Sequence, residues 1–192
     1  MKFIFDGGWD VNSESSMKNN LFFRYTPFLS EEMKNGKKLL IVTNAKPTSH
    51  YNDEIKPLLS SGAVVVDRDT KGSVDWGAYD CILVPGGYTM ILFNEMSRLG
   101  FDISKLKKDV LYIGSSAGSM IMSDYFYDYD RENKKVNFYT GLLPSNKELY
   151  VVHADNERYV DEYLRTELKK LAAENNLQLV DINENETIER IK

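Results

Sequence analysis

Short runs of consecutive apolar residues recur along the chain. They alternate with longer stretches in which apolar positions return every three or four residues. Runs of the first kind read as strands buried on both faces, and those of the second as amphipathic helices. The pattern predicts strands over residues 2–5, 39–43, 63–67, 81–84, 110–113, 149–152 and 177–182, with 186–192 as one more short strand. It predicts a helix over 16–34, broken or kinked at Pro27 and closed by Gly36. Further helices are predicted over 49–60, with Pro57 inside, over 90–99, closed by Gly100, and over 156–175. In the last, Tyr159, Tyr163, Leu164, Leu168 and Leu171 keep helical spacing. The polar and aromatic stretch 124–135 reads as an irregular excursion.

Strands alternating with helices imply an α/β fold: a three-layer sandwich around a mostly parallel central sheet. Ligands bind such sheets beyond the carboxyl ends of the strands. Three glycine-bearing turns fall there, Gly7-Gly8, Gly86-Gly87 and Gly114 to Gly118, and the topology sends all three to one edge. The length of 192 residues suits a single domain spanning 1–192, with no internal repeat or linker.

Hydrophobic residues make up 42% of the chain and charged residues 28%, with a net charge of -5. This balance argues against a nucleic acid or an anionic membrane as the main partner, because both need a basic face. The single cysteine, Cys81, lies in an apolar strand, offers no disulfide or metal cluster, and reads as a buried structural thiol. The apolar start of the chain is shorter than a signal-peptide core, and no run reaches membrane-spanning length, so a cytoplasmic location is expected.

The most informative segment is Gly114-Ser115-Ser116-Ala117-Gly118. A Val/Leu/Tyr/Ile run precedes it and an Ala/Met/Ile/Met run follows. A nucleophile on a sharp strand-to-helix turn needs small neighbours, so Ser116 is the candidate nucleophile. The competing reading, a flexible Gly/Ser turn, is outweighed by the apolar runs on both sides. A serine nucleophile needs a base. Of the two histidines, His50 sits in a polar loop and reads as a solvated surface residue, whereas His153 ends a strand at the same sheet edge as Ser116. In the chain order serine, acid, histidine, the orienting carboxylate is drawn from Asp124, Asp128, Asp130 and Glu132, while Asp155 suits a helix cap. Ala117 and Gly87 are the candidate oxyanion donors, and Gly8, Tyr88 and Thr89 are candidate substrate contacts at that edge.

Taken together, these residues resemble the dipeptidase E and cyanophycinase family of serine peptidases. The elbow matches that family's Gly-x-Ser-Ala-Gly, and Gly86-Gly87-Tyr88-Thr89 resembles its Gly-Gly-Asn-Thr turn. Gly141-Leu142-Leu143-Pro144 followed by Val152-His153-Ala154 resembles its histidine segment. The resemblance implies a class I glutamine amidotransferase-like, flavodoxin-like fold and a triad of Ser116, His153 and an acid between them, which favours Asp128 or Asp130. It also implies oxyanion donors at Gly87 and Ala117. Three positions depart from the family pattern: Tyr88 replaces the Asn, Ile91 replaces a frequent Gln, and Ala154 replaces an aromatic residue after the histidine.

Dipeptidase E members cleave small peptides with an N-terminal aspartate, and cyanophycinases cleave β-linked Asp–Arg dipeptides. The resemblance therefore implies a small peptide or amide substrate, one that contains Asp, met by a cation drawn from Arg24, Lys46 and Arg158. No metal or organic cofactor is called for. Beyond the substrate, the only partner expected is a second copy of the chain in a homodimer. Glutamine amidotransferase activity is set aside because that chemistry uses a cysteine at the elbow, where Ser116 stands. The rival reading is a non-catalytic or regulatory small-ligand-binding protein on the same scaffold, motivated by the altered Gly-Gly-Tyr-Thr turn.

Overall fold

The computed structural model of the protein describes residues 1–9, 21–143 and 147–192. The central sheet has six strands. In chain order they are β1 (Lys2–Asp6), β2 (Leu39–Val42), β3 (Val64–Val66), β4 (Cys81–Val84), β5 (Leu111–Ser115) and, last in the chain, β10 (Thr187–Ile191). Their spatial order is β10-β1-β5-β4-β2-β3, parallel throughout except that β10 runs antiparallel to β1. The result is an α/β fold with a mostly parallel sheet between layers of helix.

Both faces of the sheet are covered, which explains why its strands read as unbroken apolar runs. Because side chains alternate across a strand, consecutive residues enter different cores. Ile4, Leu39, Ile41, Cys81, Leu83 and Ile113 face a core closed by Leu21, Phe22 and Leu29 of α1 (Leu21–Lys34) and Ile55 and Leu58 of α2 (Asn52–Ser60). Phe3, Phe5, Leu40, Val42, Ile82 and Tyr112 face the other core. Three groups close that one: Leu92 and Met96 of α3 (Thr89–Arg98), the apolar strand β8 (Glu148–Val152), and Leu164 and Leu168 of α5 (Glu162–Glu174). Strand β8 pairs in parallel with β9 (Gln178–Ile182) as a separate two-stranded sheet.

The predicted helix over 16–34 is seen as Leu21–Lys34 and continues through Pro27; its first residues, 16–20, lie outside the described part. Gly36 closes it at φ 86°, as a left-handed C-cap does. The predicted helix over 49–60 divides into a 3-10 turn, Thr48–Tyr51, and α2.

Two expectations are corrected. The stretch 124–135 is not irregular: most of it belongs to a β-hairpin, β6 (Tyr125–Asp130) against β7 (Lys135–Thr140), with Tyr125 opposite Thr140 and Asp130 opposite Lys135. Its Tyr, Phe, Val and Thr residues are good strand formers, and this local preference outweighs the polar composition. The helix expected from 156 begins instead at Glu162, where the Asp161 carboxylate caps it by accepting from Leu164 N–H at 2.9 Å. Residues 156–160 form tight turns, and Asn156 is engaged elsewhere by its side chain.

Candidate active site

The spatial order β1-β5-β4 brings the three glycine turns side by side at the carboxyl edge of the sheet. Ser116 follows β5 directly and precedes the short helix α4 (Ala117–Met120). Its backbone is left-handed, with φ 49° and ψ −112°. A non-glycine residue there stores of order 1–3 kcal/mol of strain and persists only where its surroundings over-determine it. Here Ser116 N–H donates to Asp6 O at 2.9 Å, and Ser116 O accepts from Ser119 and Met120 N–H. Ser119 Oγ ties the elbow to β1 by donating toward Asp6 O and Gly114 O and accepting from Asp6 N–H. Glycines within the elbow and facing it are needed for close approach. A Cβ on Gly118 would stand 2.3 Å from Val84 O, and one on Gly86 2.8 Å from Ser116 Cβ.

His153 follows β8 and is also left-handed, at φ 51°. Its N–H donates to Gly7 O at 2.9 Å, which fastens it to the end of β1. His153 Nε2 lies 3.0 Å from Ser116 Oγ, and its Nδ1 lies 2.7 Å from Glu184 Oε1. The neutral tautomer that satisfies both contacts carries its proton on Nδ1, donating to Glu184, and leaves Nε2 to accept from the serine hydroxyl. The ring is 6% exposed and stacks on Tyr159, with centroids 4.1 Å apart and planes 21° from parallel.

Glu184 was not among the carboxylates expected. The loop that carries it joins β9 to β10 at the carboxyl edge, because β9 is parallel to β8 and β10 is antiparallel to β1. Asn156 Nδ2 donates to Glu184 Oε1 at 2.9 Å, and the Asp155 carboxylate accepts from Glu184 N–H at 2.8 Å. Asp155 therefore serves the Glu184 loop and not the helix cap.

The expected carboxylates lie on or beside the hairpin. Asp130 is held in the hairpin turn by Asn133, which donates from its backbone and side chain and keeps the carboxyl below the usual carboxylate range. Glu132 is exposed in the same turn, and Asp124 is buried where the hairpin begins. Asp128 is exposed and lines one side of the cleft. Among the described residues, the carboxylate that bonds His153 is Glu184. Its position two residues beyond a strand parallel to β8 was the available signal. The expected chain order of serine, acid, histidine does not describe this contact, because Glu184 follows His153.

Gly8 lies under the imidazole. At φ 97°, a Cβ there would come within 2.4 Å of His153 Nε2. Gly87, at φ 142°, packs against Ala45, and the Tyr51 hydroxyl donates to Gly86 O at 2.6 Å and so holds the turn. Ala117 opens α4, so its N–H has no partner within the helix. Among the described residues, neither the Gly87 nor the Ala117 N–H donates to a backbone carbonyl.

Two connected lobes share Ser116, His153, Gly87, Tyr88 and Tyr159. One, of about 310 Å³, is bordered by Trp9, Lys46, His50 and Tyr51. The other, of about 350 Å³, is bordered by Thr89, Met120, Tyr127, Asp128 and Tyr129. Volumes of this order suit a small molecule. Of the three cations expected near substrate, Lys46 lines the first lobe, its ammonium 4.7 Å from the Tyr88 ring centre. Arg24 is paired with buried Asp6, and Arg158 lies on the exposed turn after His153. His50 is exposed, as expected, yet borders the same lobe. Among the described residues, no group of three or more metal-ligating side chains converges, and no helix is long and apolar enough to cross a membrane.

Comparison with known proteins places the chain. The pattern of peptidase family S51 matches residues 12–190, and the chain belongs to that family: it is a peptidase by family. The crystal structure of a peptidase from an acI-B1 Actinobacterium resembles it with a TM-score of 0.59 at 14% identity, covering 99% of this chain and 83% of that one. At this identity the likeness concerns the fold. No curated protein matches the chain.

Proposed function

We propose that the protein is a serine peptidase of the dipeptidase E type that hydrolyses small, Asp-containing peptides through Ser116, His153 and Glu184. The observation that carries this reading is the continuous chain from Ser116 Oγ to His153 Nε2 at 3.0 Å and from His153 Nδ1 to Glu184 Oε1 at 2.7 Å. Ser116 Oγ attacks the scissile carbonyl as His153 Nε2 takes its proton. Glu184 holds the imidazole in the required tautomer and stabilises the imidazolium that forms. The Gly87 and Ala117 N–H groups meet the developing oxyanion, each donor being worth about 3 kcal/mol in the transition state. The imidazolium then protonates the leaving amine, and water, deprotonated by His153, hydrolyses the acyl-enzyme. Support for an acidic substrate group comes from Lys46, whose ammonium borders the cleft and is not committed to a carboxylate salt bridge among the described residues.

Intact-mass spectrometry after incubation with a fluorophosphonate tests the proposal. A single adduct on the wild type, absent from Ser116→Ala, is expected. A folded wild type that takes no adduct sinks the hydrolase reading and favours a binding protein on the same scaffold.

A further inference from the structure

Asp6 and Arg24 form an ion pair that takes no part in the chemistry above. The Asp6 side chain is fully buried and that of Arg24 is 24% exposed. Burying two charges is expensive, and such pairs are weak sources of stability, so the partners of this one are informative. Asp6 Oδ1 accepts from Ser115 Oγ at 2.7 Å, next to the nucleophile, and from Gly8 N–H at 2.8 Å, beneath the imidazole. Arg24 reaches past Asp6, and its Nη1 donates to Asn185 O at 2.9 Å. Asn185 directly follows Glu184, and its own N–H donates to Gly8 O at 2.9 Å. One guanidinium thus bridges the end of β1 and the loop that presents the carboxylate to His153.

We propose that Arg24 is a positioning residue: anchored on Asp6, it holds the Asn185 carbonyl and thereby fixes Glu184 against His153 Nδ1. The proposal rests on the triad reading given above. The β9–β10 loop is short, and Glu184 is gripped from one side by Asp155 and Asn156. Arg24 grips the other side through the next residue. A planar fork can hold a carboxylate and a carbonyl at once, which the single ammonium of a lysine on a flexible stem does less well.

The test uses the full chain with two variants: Arg24→Lys, which keeps a charge opposite Asp6, and the double variant Asp6→Asn/Arg24→Gln, which removes both charges. Two readouts are taken. The first is fluorophosphonate inactivation, resolved into its saturating rate and its apparent affinity. The second is the low-field proton resonance of His153 Nδ1–H, which reports the bond to Glu184 whether or not the protein turns over a substrate. In Arg24→Lys the saturating rate is expected to fall about tenfold or more, as small misplacements of a catalytic group do, with affinity changed by less than about twofold. The low-field resonance is expected to broaden or vanish.

A rate within about twofold of wild type together with an unchanged resonance overturns the proposal. So does a rate loss that follows only the folded fraction, or the failure of both variants to fold, since the pair is then structural. If the wild type shows the resonance but takes no adduct, the hydrolase reading has failed on its own. The resonance in Arg24→Lys then still decides: its loss supports the clamp and its persistence overturns it.

Discussion

Glu184 Oε1 and His153 Nδ1 stand 2.7 Å apart, although 31 positions separate the two residues in the chain. They meet because each follows the end of one of two parallel, neighbouring strands. In Glu184→Gln the side-chain amide can donate to Nδ1 and so hold the wrong tautomer. The rate at saturating substrate is expected to fall by about 10³–10⁴-fold, with KM little changed. Asp130→Ala, which touches only the hairpin turn, is expected to stay within about twofold of wild type, as remote surface changes do. Steady-state kinetics on both variants, or fluorophosphonate inactivation in their place, reads the contrast. A loss in Asp130→Ala and none in Glu184→Gln would reverse the assignment.

Gly8 and Gly62 share φ 97° but not their surroundings. A Cβ on Gly8 meets His153 at 2.4 Å, whereas one on Gly62 meets nothing within 4 Å. Gly62→Ala is expected to lose about 1–2 kcal/mol of stability from its backbone alone and to keep full reactivity. Gly8→Ala is expected to lose at least as much and also to abolish fluorophosphonate labelling, because the imidazole must move away from Ser116. Urea melts paired with intact-mass labelling separate the two effects.

Of the three cations Arg24, Lys46 and Arg158, Lys46 is the one that borders the cleft. Lys46→Met keeps a side chain of similar length and removes the ammonium that lies 4.7 Å from the Tyr88 ring centre. KM for Asp-containing dipeptides is expected to rise about tenfold or more, the value of a hydrogen bond to a charged group. The rate of labelling by an uncharged fluorophosphonate is expected to stay unchanged. Equal losses in both assays would assign Lys46 to the architecture of the turn and not to recognition.

Alkaline pH is expected to destabilise the protein. Burial pushes the Cys81 thiol up to about 11 and lifts the Tyr112 hydroxyl well above the ordinary tyrosine range. Both groups are acids that keep their protons longer in the folded state. The unfolded chain ionises first, binds fewer protons, and is favoured as pH rises. The stability these groups contribute is complete below pH 9, the unfolded thiol's value, and is lost above it, for Cys81 through pH 11 and for Tyr112 from pH 10 upward. Each group contributes a slope of at most about 1.4 kcal/mol per pH unit. Urea midpoints between pH 8 and 11 measure the trend. A flat profile would show that these side chains are not buried as described.

The central strands were legible in the sequence because burial on both faces writes them as continuous apolar runs, of which Cys-Ile-Leu-Val at 81–84 is the clearest. The elbow was legible because the sharp turn at Ser116 requires small residues beside it in the chain. His153 was legible because it ends an apolar strand. These features depend on neighbours in the chain, and a periodic pattern records them.

The partner of His153, the Asp6–Arg24 ion pair beside its loop and the hairpin that lines the cleft were decided by tertiary structure. In the chain Glu184 is marked by its place two residues beyond an apolar strand, and that mark does not by itself pair it with His153. It is selected because β9 lies parallel to β8 and β10 returns antiparallel to β1, which places a four-residue loop with Glu184 beside His153 Nδ1. Arg24 and Asp6 likewise meet only when α1 covers the sheet beside β1. Local pattern determines which segments become strand, turn or helix. The pairing of distant carboxylates, imidazoles and guanidinium groups is set by strand order and burial, where solvation no longer screens a charge and each one must find a specific partner.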